Sequence, residues 1–399
     1  MKNKNSEKTF NKKTNNKNNE TQNKTKDEKN IKNIDISSNT NIINKKTKRE
    51  KGKINKADNS KDDTVSLKYL KDFIDAQDLY PFCNYIIFKS IINGIYYLIY
   101  ATEKLSFICY DLIDNKKINE IKKCHKKNIY HLRHICDNEN KRDIMLSLSY
   151  NNNIKVWDIF NIKCIVELKN INAGGDEFIF SACFLKNNHE IYIVTSNCEH
   201  HDSIKTFNLK GQKTKEIENN NGQTRFIDSY YDNKLSKNFI IAEGMFALIS
   251  YDYNTQKQYQ IYDKPKFKHT LFYNIMIYED EEKTKLIGAF TEIKIWDFHS
   301  GKILQNIKFE TLSLLDKLCL WNNQYLFVIS KPHGENFDYA GKEDNTIKLI
   351  DLKNGKIIKY IIRFKNFYLF YITKLIHPYF GECLLTFGYD YIFKLWIAK

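Results

Sequence analysis

The sequence is poor in the residues that interrupt regular structure, with only 14 glycines and four prolines among 399 residues. Alanine is scarce as well, whereas isoleucine is frequent and there are 26 tyrosines and 26 phenylalanines. β-Branched and aromatic side chains fit the pleated, half-buried surface of a sheet, so the composition favours an all-β fold.

Signals for disulfides and secretion are also missing. No two of the nine cysteines stand in CxxC spacing, their number is odd, and the hydrophilic N-terminus lacks the apolar run of a signal peptide. We therefore expect reduced cysteines in a cytoplasmic or nuclear protein that is not secreted. The apolar stretch Tyr85–Ala101 contains Lys89 and Asn93-Gly94, a strong signal for a tight hairpin turn, and predicts two strands rather than a membrane helix.

Sequence motifs of catalysis are absent. There is no Gly-rich phosphate loop, nucleophile elbow or HExxH, and the acidic run Glu279–Glu282 is typical of a solvated turn. We therefore expect neither enzymatic activity nor a cofactor.

Two Cys/His clusters raise the question of a metal site. The first matches no common zinc spacing and lies partly on a predicted strand, where only alternate residues share a face. It comprises Cys124, His125, His131, His134 and Cys136. The second comprises Cys198, His200, His201 and Asp202 in a predicted loop, where adjacent histidines are usually solvated. We expect both clusters to be free of metal.

Residues 1–63 lack almost all apolar side chains. Phe10 is their only aromatic residue, beside 15 asparagines, 18 lysines or arginines and nine acidic residues. Such a segment buries too little apolar area to offset its chain entropy, so we predict a disordered basic tail. Its densest basic run could serve nuclear import or contact nucleic acid, or simply follow from the lysine-rich composition. The run comprises Lys45, Lys46, Lys48, Arg49, Lys51 and Lys53.

The remainder of the chain repeats one short pattern: an Ile-Lys-apolar-aromatic strand, often followed by Asp, a polar turn and another strand. It is clearest as IKVWD at 154–158, IKIWD at 293–297 and IKLID at 347–351. We call the residue in the aromatic position of each copy its marker residue. The marker residues are Tyr110, Trp157, Phe207, Tyr251, Trp296, Ile350 and Trp396.

Successive marker residues are 44 to 54 positions apart. A four-stranded propeller blade takes about 40–45 residues, and the excess belongs in loops. The clearer intervals also divide into four short strands separated by polar turns. In the second unit these are Tyr130–Ile135, Ile144–Ser149, Ile154–Trp157 and Cys164–Leu168. The sequence therefore predicts a seven-bladed β-propeller over residues 64–399.

Two copies resemble the WD-repeat family. Asp344–Leu349 follow the family's turn into the third strand, and Leu384–Asp390 with Phe393–Trp396 match its second strand, turn and third strand. The family's Gly-His dipeptide is absent, and Cys124-His125 is the nearest counterpart.

The resemblance implies a buried hydrogen-bond relay of a His, a strand Ser or Thr, a turn Asp and the Trp. The second unit offers His125, Ser147 or Ser149, Asn151 in place of the acid, and Trp157. The seventh unit offers Thr386, Asp390 and Trp396 without a matching His.

Closure of the ring needs a fourth strand for the seventh unit, which ends shortly after its third strand. In the resembled family the N-terminal strand supplies it, and the candidate here is Val65–Phe73. The spacing of Leu67, Leu70 and Ile74 would also suit a short helix. We favour the strand because the closure argument does not depend on local periodicity.

A propeller is a rigid disc whose loops can hold peptides or other domains, so we expect a non-catalytic scaffold or adaptor with protein partners. The alternative is an RNA-binding or ribosome-assembly factor whose tail grips phosphates; no membrane partner is expected. Phosphoinositide-binding propellers carry a Phe-Arg-Arg-Gly run, which is absent, and Phe160 and His299 stand where ubiquitin-ligase receptors often carry Arg.

A partner site is predicted from the connections between second and third strands. The longest is Lys331–Asp344 in the sixth unit, which contains His333, Phe337 and Tyr339. Aromatic residues are typical anchors at interfaces, although these rings could instead fold back onto the propeller. The third unit's loop, with His200 and His201, should emerge on the same side of the disc.

Overall fold

The strands of this chain form seven four-stranded antiparallel sheets, the blades of a β-propeller. The computed structural model describes residues 67–76, 78–80, 85–169, 179–196, 203–219, 224–244, 247–262, 274–280, 282–289, 292–309, 313–332, 346–363, 369–388 and 390–398. Every regular element within these ranges is a β-strand, and none is a helix. This confirms the predicted all-β, seven-bladed architecture. The predicted disordered tail, residues 1–63, lies outside the described residues.

The bounds of the strands follow the chain order. Blade 1 contains β2 (Ile86–Lys89), β3 (Tyr96–Ala101), β4 (Phe107–Asp111) and β5 (Lys116–Ile121). Blade 2 contains β6 (Ile129–Asp137), β7 (Arg142–Ser149), β8 (Asn153–Asp158) and β9 (Lys163–Leu168). Blade 3 contains β10 (Ala182–Asn187), β11 (Glu190–Thr195), β12 (Ser203–Asn208) and β13 (Lys213–Glu218). Blade 4 contains β14 (Phe226–Asp232), β15 (Lys237–Glu243), β16 (Leu248–Asp252) and β17 (Lys257–Tyr262).

The remaining three blades complete the ring. Blade 5 contains β18 (Asn274–Glu279), β19 (Thr284–Ala289), β20 (Glu292–Asp297) and β21 (Ile303–Lys308). Blade 6 contains β22 (Ser313–Trp321), β23 (Tyr325–Pro332), β24 (Thr346–Asp351) and β25 (Lys356–Arg363). Blade 7 contains β26 (Leu369–His377), β27 (Gly381–Gly388), β28 (Ile392–Ala398) and the N-terminal β1 (Leu67–Asp75).

Ring closure is made by β1, which pairs antiparallel with β28 from Leu67↔Ala398 to Asp75↔Ile392. The predicted closing strand is therefore confirmed, and the helical alternative for the same segment is wrong. The apolar spacing that suggested a helix arises because the strand is bulged, with register shifts between Tyr69 and Lys71 and between Asp72 and Ile74.

All seven marker residues lie on the third strands of their blades, as predicted. Beside each of them the pairing with the fourth strand shifts by one residue, as between Val156 and Trp157 or between Ile295 and Trp296. The same shift recurs in the other blades. A β-bulge bends the strand that carries it, so the outer strand of every blade bends at the same level.

The Asp that often follows a marker residue fixes the next turn. Its side-chain oxygen accepts hydrogen bonds from backbone N–H groups two or three residues further on, a local arrangement that Asp and Asn favour. Asp111 Oδ1 accepts from Ile113 N at 2.7 Å, and Asp351 Oδ1 accepts from Lys353 N at 2.8 Å. The recurring Asp is thus explained by turn geometry.

The core consists of one hydrophobic cluster at each junction between neighbouring blades, seven clusters among the described residues. Trp157 lies in the cluster between blades 1 and 2, Trp296 in that between blades 4 and 5, and Trp396 in that between blades 6 and 7. Because every blade buries apolar surface against both neighbours, the ring is held together around its whole circumference.

The hairpin predicted at Asn93-Gly94 is present, but its turn is longer than predicted. It spans Ser90 to Ile95 between β2 and β3. Gly94 has a φ of 72°, whereas Asn93 does not share the positive φ that a two-residue type I′ turn requires. The turn is widened because Ser90 Oγ and Ile91 N donate to the Asp143 carboxylate of blade 2, at 2.6 and 3.2 Å.

Candidate functional site

A central channel runs through the propeller and has a volume of about 670 Å³. It is lined by residues on or just before the first strand of all seven blades. Since consecutive strands are antiparallel, the connections from second to third strands share one face of the disc with those that lead from blade to blade. We call this the upper face, and the opposite one the lower face. The first strands begin at the upper face.

Strand register fixes the depth of each residue in the channel. Pairing across each blade aligns the marker residues with seven first-strand residues. We call the depth of these seven residues in the channel the marker level. They are Ile87, His134, Phe184, Ser229, Ile277, Leu320 and Lys374. Residues that precede these along the chain lie nearer to the upper face.

The charged side chains of the channel lining are Arg133, Arg225, Lys317 and Lys374, and among the described residues the lining contains neither Asp nor Glu. Lys374 is neutralised, because its Nζ lies 2.6 Å from Glu382 Oε1 and also donates to Asn322 Oδ1 at 2.9 Å. Arg133, Arg225 and Lys317 lie one, four and three positions before the marker level of their blades.

The pKa of His131 is affected by the positive charges of this lining. Burial, with the nearby positive charges of Arg133 and Lys317, holds the pKa of His131 well below its usual value of 6.5. The neutral ring donates through Nε2 to the carbonyl oxygen of Ala182 at 2.8 Å. His131 is therefore an uncharged part of the wall, and the cations around it disfavour further positive charge.

The first Cys/His cluster is divided in the structure. Cys124 Sγ donates to Leu105 O at 3.0 Å, whereas His134 and Cys136 join Asp143 in a group whose possible ligand atoms lie within 4.8 Å of one another. Asp143 is fully buried and His134 Nε2 lies 2.9 Å from its Oδ1, while Ser90 of blade 1 donates to Oδ2. We interpret the group as a hydrogen-bond network that joins blades 1 and 2.

The relay implied by the resemblance is formed in part. In blade 2, Trp157 Nε1 donates to Ser147 Oγ at 2.9 Å, and His125 Nε2 shares a hydrogen bond of 2.7 Å with the same oxygen. Asn151 does not extend the relay, because it accepts from Ser149 instead. Among the described residues His125 Nδ1 has no partner. The relay therefore uses Ser147 rather than Ser149 and ends at the histidine.

Blade 7 shows the shorter form of the same arrangement. Trp396 Nε1 donates to Thr386 Oγ1 at 2.8 Å. Asp390 forms an ion pair with Lys394 and accepts a hydrogen bond from Ile392 N. The turn acid thus stabilises the start of β28.

His125 should make the stability of the propeller depend on pH. Burial, reinforced by the charge of Lys155, lowers the pKa of His125 to about 4. Between the usual value of 6.5 and about 4 the unfolded state therefore binds a proton that the folded state does not, and stability falls as the pH falls. One such proton contributes about 1.4 kcal/mol per pH unit.

The free energy of unfolding, measured in urea at pH 7, 6 and 5, should therefore fall less steeply with decreasing pH for His125→Gln than for the natural chain. The matched control is His189→Gln, since the side chain of His189 is 83% exposed. Equal slopes for the natural chain and His125→Gln would contradict a buried, neutral histidine.

The residues predicted for partner binding lie outside the described residues. These are His200, His201, His333, Phe337 and Tyr339, together with the basic run Lys45, Lys46, Lys48, Arg49, Lys51 and Lys53. The flanking strands place residues 197–202 between β11 and β12, and residues 333–345 between β23 and β24. Both connections thus join a second to a third strand, as predicted, and the proposed contacts themselves stay predictions.

The cations of the channel carry no motif that would identify them in the sequence. Arg133, Arg225 and Lys317 share no motif, although each follows the one before it by 92 positions, about twice the interval between marker residues. Each marker residue lies on a third strand, and the first strand of the same blade precedes it by two hairpins. First strands line the channel of a propeller, so this relation identifies the part of each blade in which a channel residue lies.

No helix long and apolar enough to span a membrane occurs among the residues described. Comparison with known proteins adds no assignment: no protein-family model matches this chain, and neither does any curated protein.

Proposed function

We propose that the chain is a non-catalytic scaffold of the WD-repeat type that binds other proteins at the upper face of its propeller. The observation that carries the proposal is a closed ring, held by an apolar cluster at each blade junction, with a channel lined by all seven blades. Such a frame holds loops and the channel mouth in fixed positions, so a partner binds without ordering the frame itself.

WD-repeat character is supported by two features of the blades. The contacts among His125, Ser147 and Trp157 reproduce three of the four members of the family's relay. The outer strand contributed by the N-terminal β1 is the closure that the resemblance implies.

Burial makes three of the nine cysteines unsuitable as nucleophiles. Burial raises the pKa of Cys109, Cys124 and Cys319 to about 12. A thiol is a nucleophile only as the thiolate, so these three stay protonated and unreactive at neutral pH.

The test is quantitative capture of partner proteins by the full chain and by two variants. Phe337→Ala/Tyr339→Ala alters the longest loop predicted for the upper face. Tyr379→Ala is the matched control, because this ring is 80% exposed in the turn between β26 and β27 on the lower face. We expect the double variant to lose the proteins that the natural chain captures, with an unchanged melting temperature, and Tyr379→Ala to retain them.

Two results would oppose this proposal. Loss of partners with Tyr379→Ala alone would place the binding site on the lower face. Loss of stability with retained partners in the double variant would mean that the loop only packs against the propeller. Nuclease treatment during capture tests the RNA-binding alternative. In that case the natural chain would retain its partners only while RNA and residues 1–63 are present.

A further inference from the structure

We propose that the group formed by His134, Cys136 and Asp143 binds one divalent transition metal ion, with zinc as the representative case. The site lies at the junction of blades 1 and 2 and does not depend on the scaffold function proposed above. It differs from the expectation that the first Cys/His cluster is free of metal, because the structure replaces three members of that cluster with Asp143. The three members that form hydrogen bonds elsewhere are Cys124, His125 and His131.

Strand register brings the three ligands together. His134 and Cys136 stand two positions apart on β6, so their side chains lie on the same face of the sheet. Asp143 on β7 pairs directly with Cys136, and residues paired across two strands also share a face. The hairpin therefore places an imidazole, a thiol and a carboxylate side by side, although Asp143 stands outside the Cys/His cluster in the sequence.

The distances between the donor atoms suit a small ion. Zinc lies about 2.0–2.3 Å from its nitrogen, oxygen and sulfur ligands, so the donors of a tetrahedral site are about 3.3–3.8 Å apart. His134 Nε2 is 2.9 Å from Asp143 Oδ1, and Cys136 Sγ is 3.7 Å from the same oxygen. All three donors lie within 4.8 Å of one another. Small rotations of the side chains would place an ion between them.

Neighbouring residues of blade 1 orient two of the ligands. Asp143 Oδ2 accepts hydrogen bonds from Ser90 Oγ at 2.6 Å and from Ile91 N at 3.2 Å, which directs Oδ1 toward the other two donors. The His134 ring is stacked on the Phe88 ring, with centroids 4.0 Å apart. Metal ligands are commonly held in place by such contacts with a further layer of residues. The ion would thus meet ligands that are already positioned.

The charge of Asp143 also favours a cation. Its side chain is fully buried, and among the described residues no lysine or arginine forms an ion pair with it. A buried carboxylate is costly unless a positive charge compensates it. A divalent ion bound to this carboxylate and to the thiolate of Cys136 would leave the site electrically neutral. The thiol proton is released to solvent when the metal–sulfur bond forms.

The donor set selects the class of metal. Magnesium and calcium prefer oxygen ligands, whereas imidazole and thiolate are typical ligands of zinc and neighbouring transition metals. Three protein ligands leave one position of a tetrahedron open. His134 is part of the channel lining, so water from the channel can fill that position.

The experiment is a zinc titration of the untagged full chain, stripped with a chelator, in competition with a chromophoric chelator. We expect one zinc ion per chain and a melting temperature that rises with zinc, because the ion binds only the folded state. Ser90→Ala should weaken zinc binding by about 10–100-fold, the usual effect of removing a hydrogen bond to a ligand. Cys136→Ala and Asp143→Asn should weaken it further, since each removes a ligand.

Cobalt(II) tests the thiolate directly. A thiolate bound to cobalt gives a sulfur-to-metal charge-transfer absorption, which we expect for the natural chain and not for Cys136→Ala. Melting temperatures without metal show whether each variant is folded. Cys136 is only partly buried, so Cys136→Ala keeps the test decisive even if Asp143→Asn does not fold.

Two control variants remove other thiol and imidazole groups. Cys164→Ala removes the exposed thiol on β9, and His200→Gln/His201→Gln alters the second Cys/His cluster. Both should bind zinc with the Kd of the natural chain. The proposal would be overturned if the stripped natural chain bound no zinc, or if Cys136→Ala bound it equally well. Loss of zinc in His200→Gln/His201→Gln alone would also overturn it and assign the ion to the second cluster.

Discussion

Replacing Trp296 or Trp157 with alanine should lower the free energy of unfolding by about 3–5 kcal/mol in each case, the usual cost of removing a large buried aromatic ring. Trp296 is 0% exposed in the cluster between blades 4 and 5. Its ring meets Tyr262 edge to face, with centroids 6.0 Å apart. The alanine variant leaves a cavity that the two rigid sheets cannot close by a small shift.

Trp157 is 6% exposed and adds a polar contact to its packing between blades 1 and 2. Its loss leaves Ser147 without the indole donor as well as leaving a cavity. Trp157→Phe should therefore be less destabilising than Trp157→Ala, because the phenyl ring refills part of the space.

Equilibrium unfolding in urea measures these differences. Leu235→Ala is a suitable control, since this side chain is exposed in the turn between β14 and β15 and should change stability by less than about 0.5 kcal/mol. Near-neutral values for both tryptophan variants would mean that the marker residues do not anchor the blade junctions.

The success of the repeat alignment has a physical reason. Third strands lie between two other strands, so most of their side chains are buried, as in Asn153–Asp158. The Asp after the marker residue is repeated because it closes the following turn. Both features are local, so they are visible in one sequence.

Features that depend on contacts between blades could not be predicted in the same way. The Asn93-Gly94 dipeptide indicates a two-residue turn, but hydrogen bonds from Ser90 and Ile91 to Asp143 of the next blade widen it. Likewise, the sequence alone left Ser147 and Ser149 as alternatives. The two serines are two residues apart and share a strand face, and only the position of the Trp157 ring selects Ser147.

The channel is the hardest part to predict. Its four cations lie on or just before the first strands of blades 2, 4, 6 and 7, and no sequence motif marks them. Arg133, Arg225 and Lys317 are evenly spaced along the chain, but they lie at different depths relative to the marker residues. Their convergence follows from the closed ring, which is a property of the whole chain.

Ring closure leads to the second large effect, which concerns β1. A chain that starts at Thr64 should unfold at the same temperature as the full chain, because the residues removed have almost no apolar side chains. A chain that starts at Ala76 loses the whole closing strand. Its β28 would become an open edge with unpaired N–H and C=O groups.

The apolar loss adds to the loss of strand pairing. Ile74 is buried in the cluster between blades 7 and 1, Leu67 and Leu70 pack against the clusters on either side of blade 7, and Tyr69 contacts the Trp396 ring edge to face at 5.2 Å. Removal of these side chains should cost several kcal/mol, since one buried Ile→Ala change alone costs about 2–5 kcal/mol.

Circular dichroism during heating would compare the three chains, and size-exclusion chromatography would show whether the open edge leads to association. We expect a sharply lower melting temperature, or aggregation, only for the chain that starts at Ala76. Ile74→Ala in the full chain gives a milder version that should still fold with reduced stability. If the chain without β1 melted with the full chain and stayed monomeric, the strand would not be needed to close the ring. If the chain starting at Thr64 were already unstable, residues 1–63 would contribute to folding, and the tail could not be disordered as predicted.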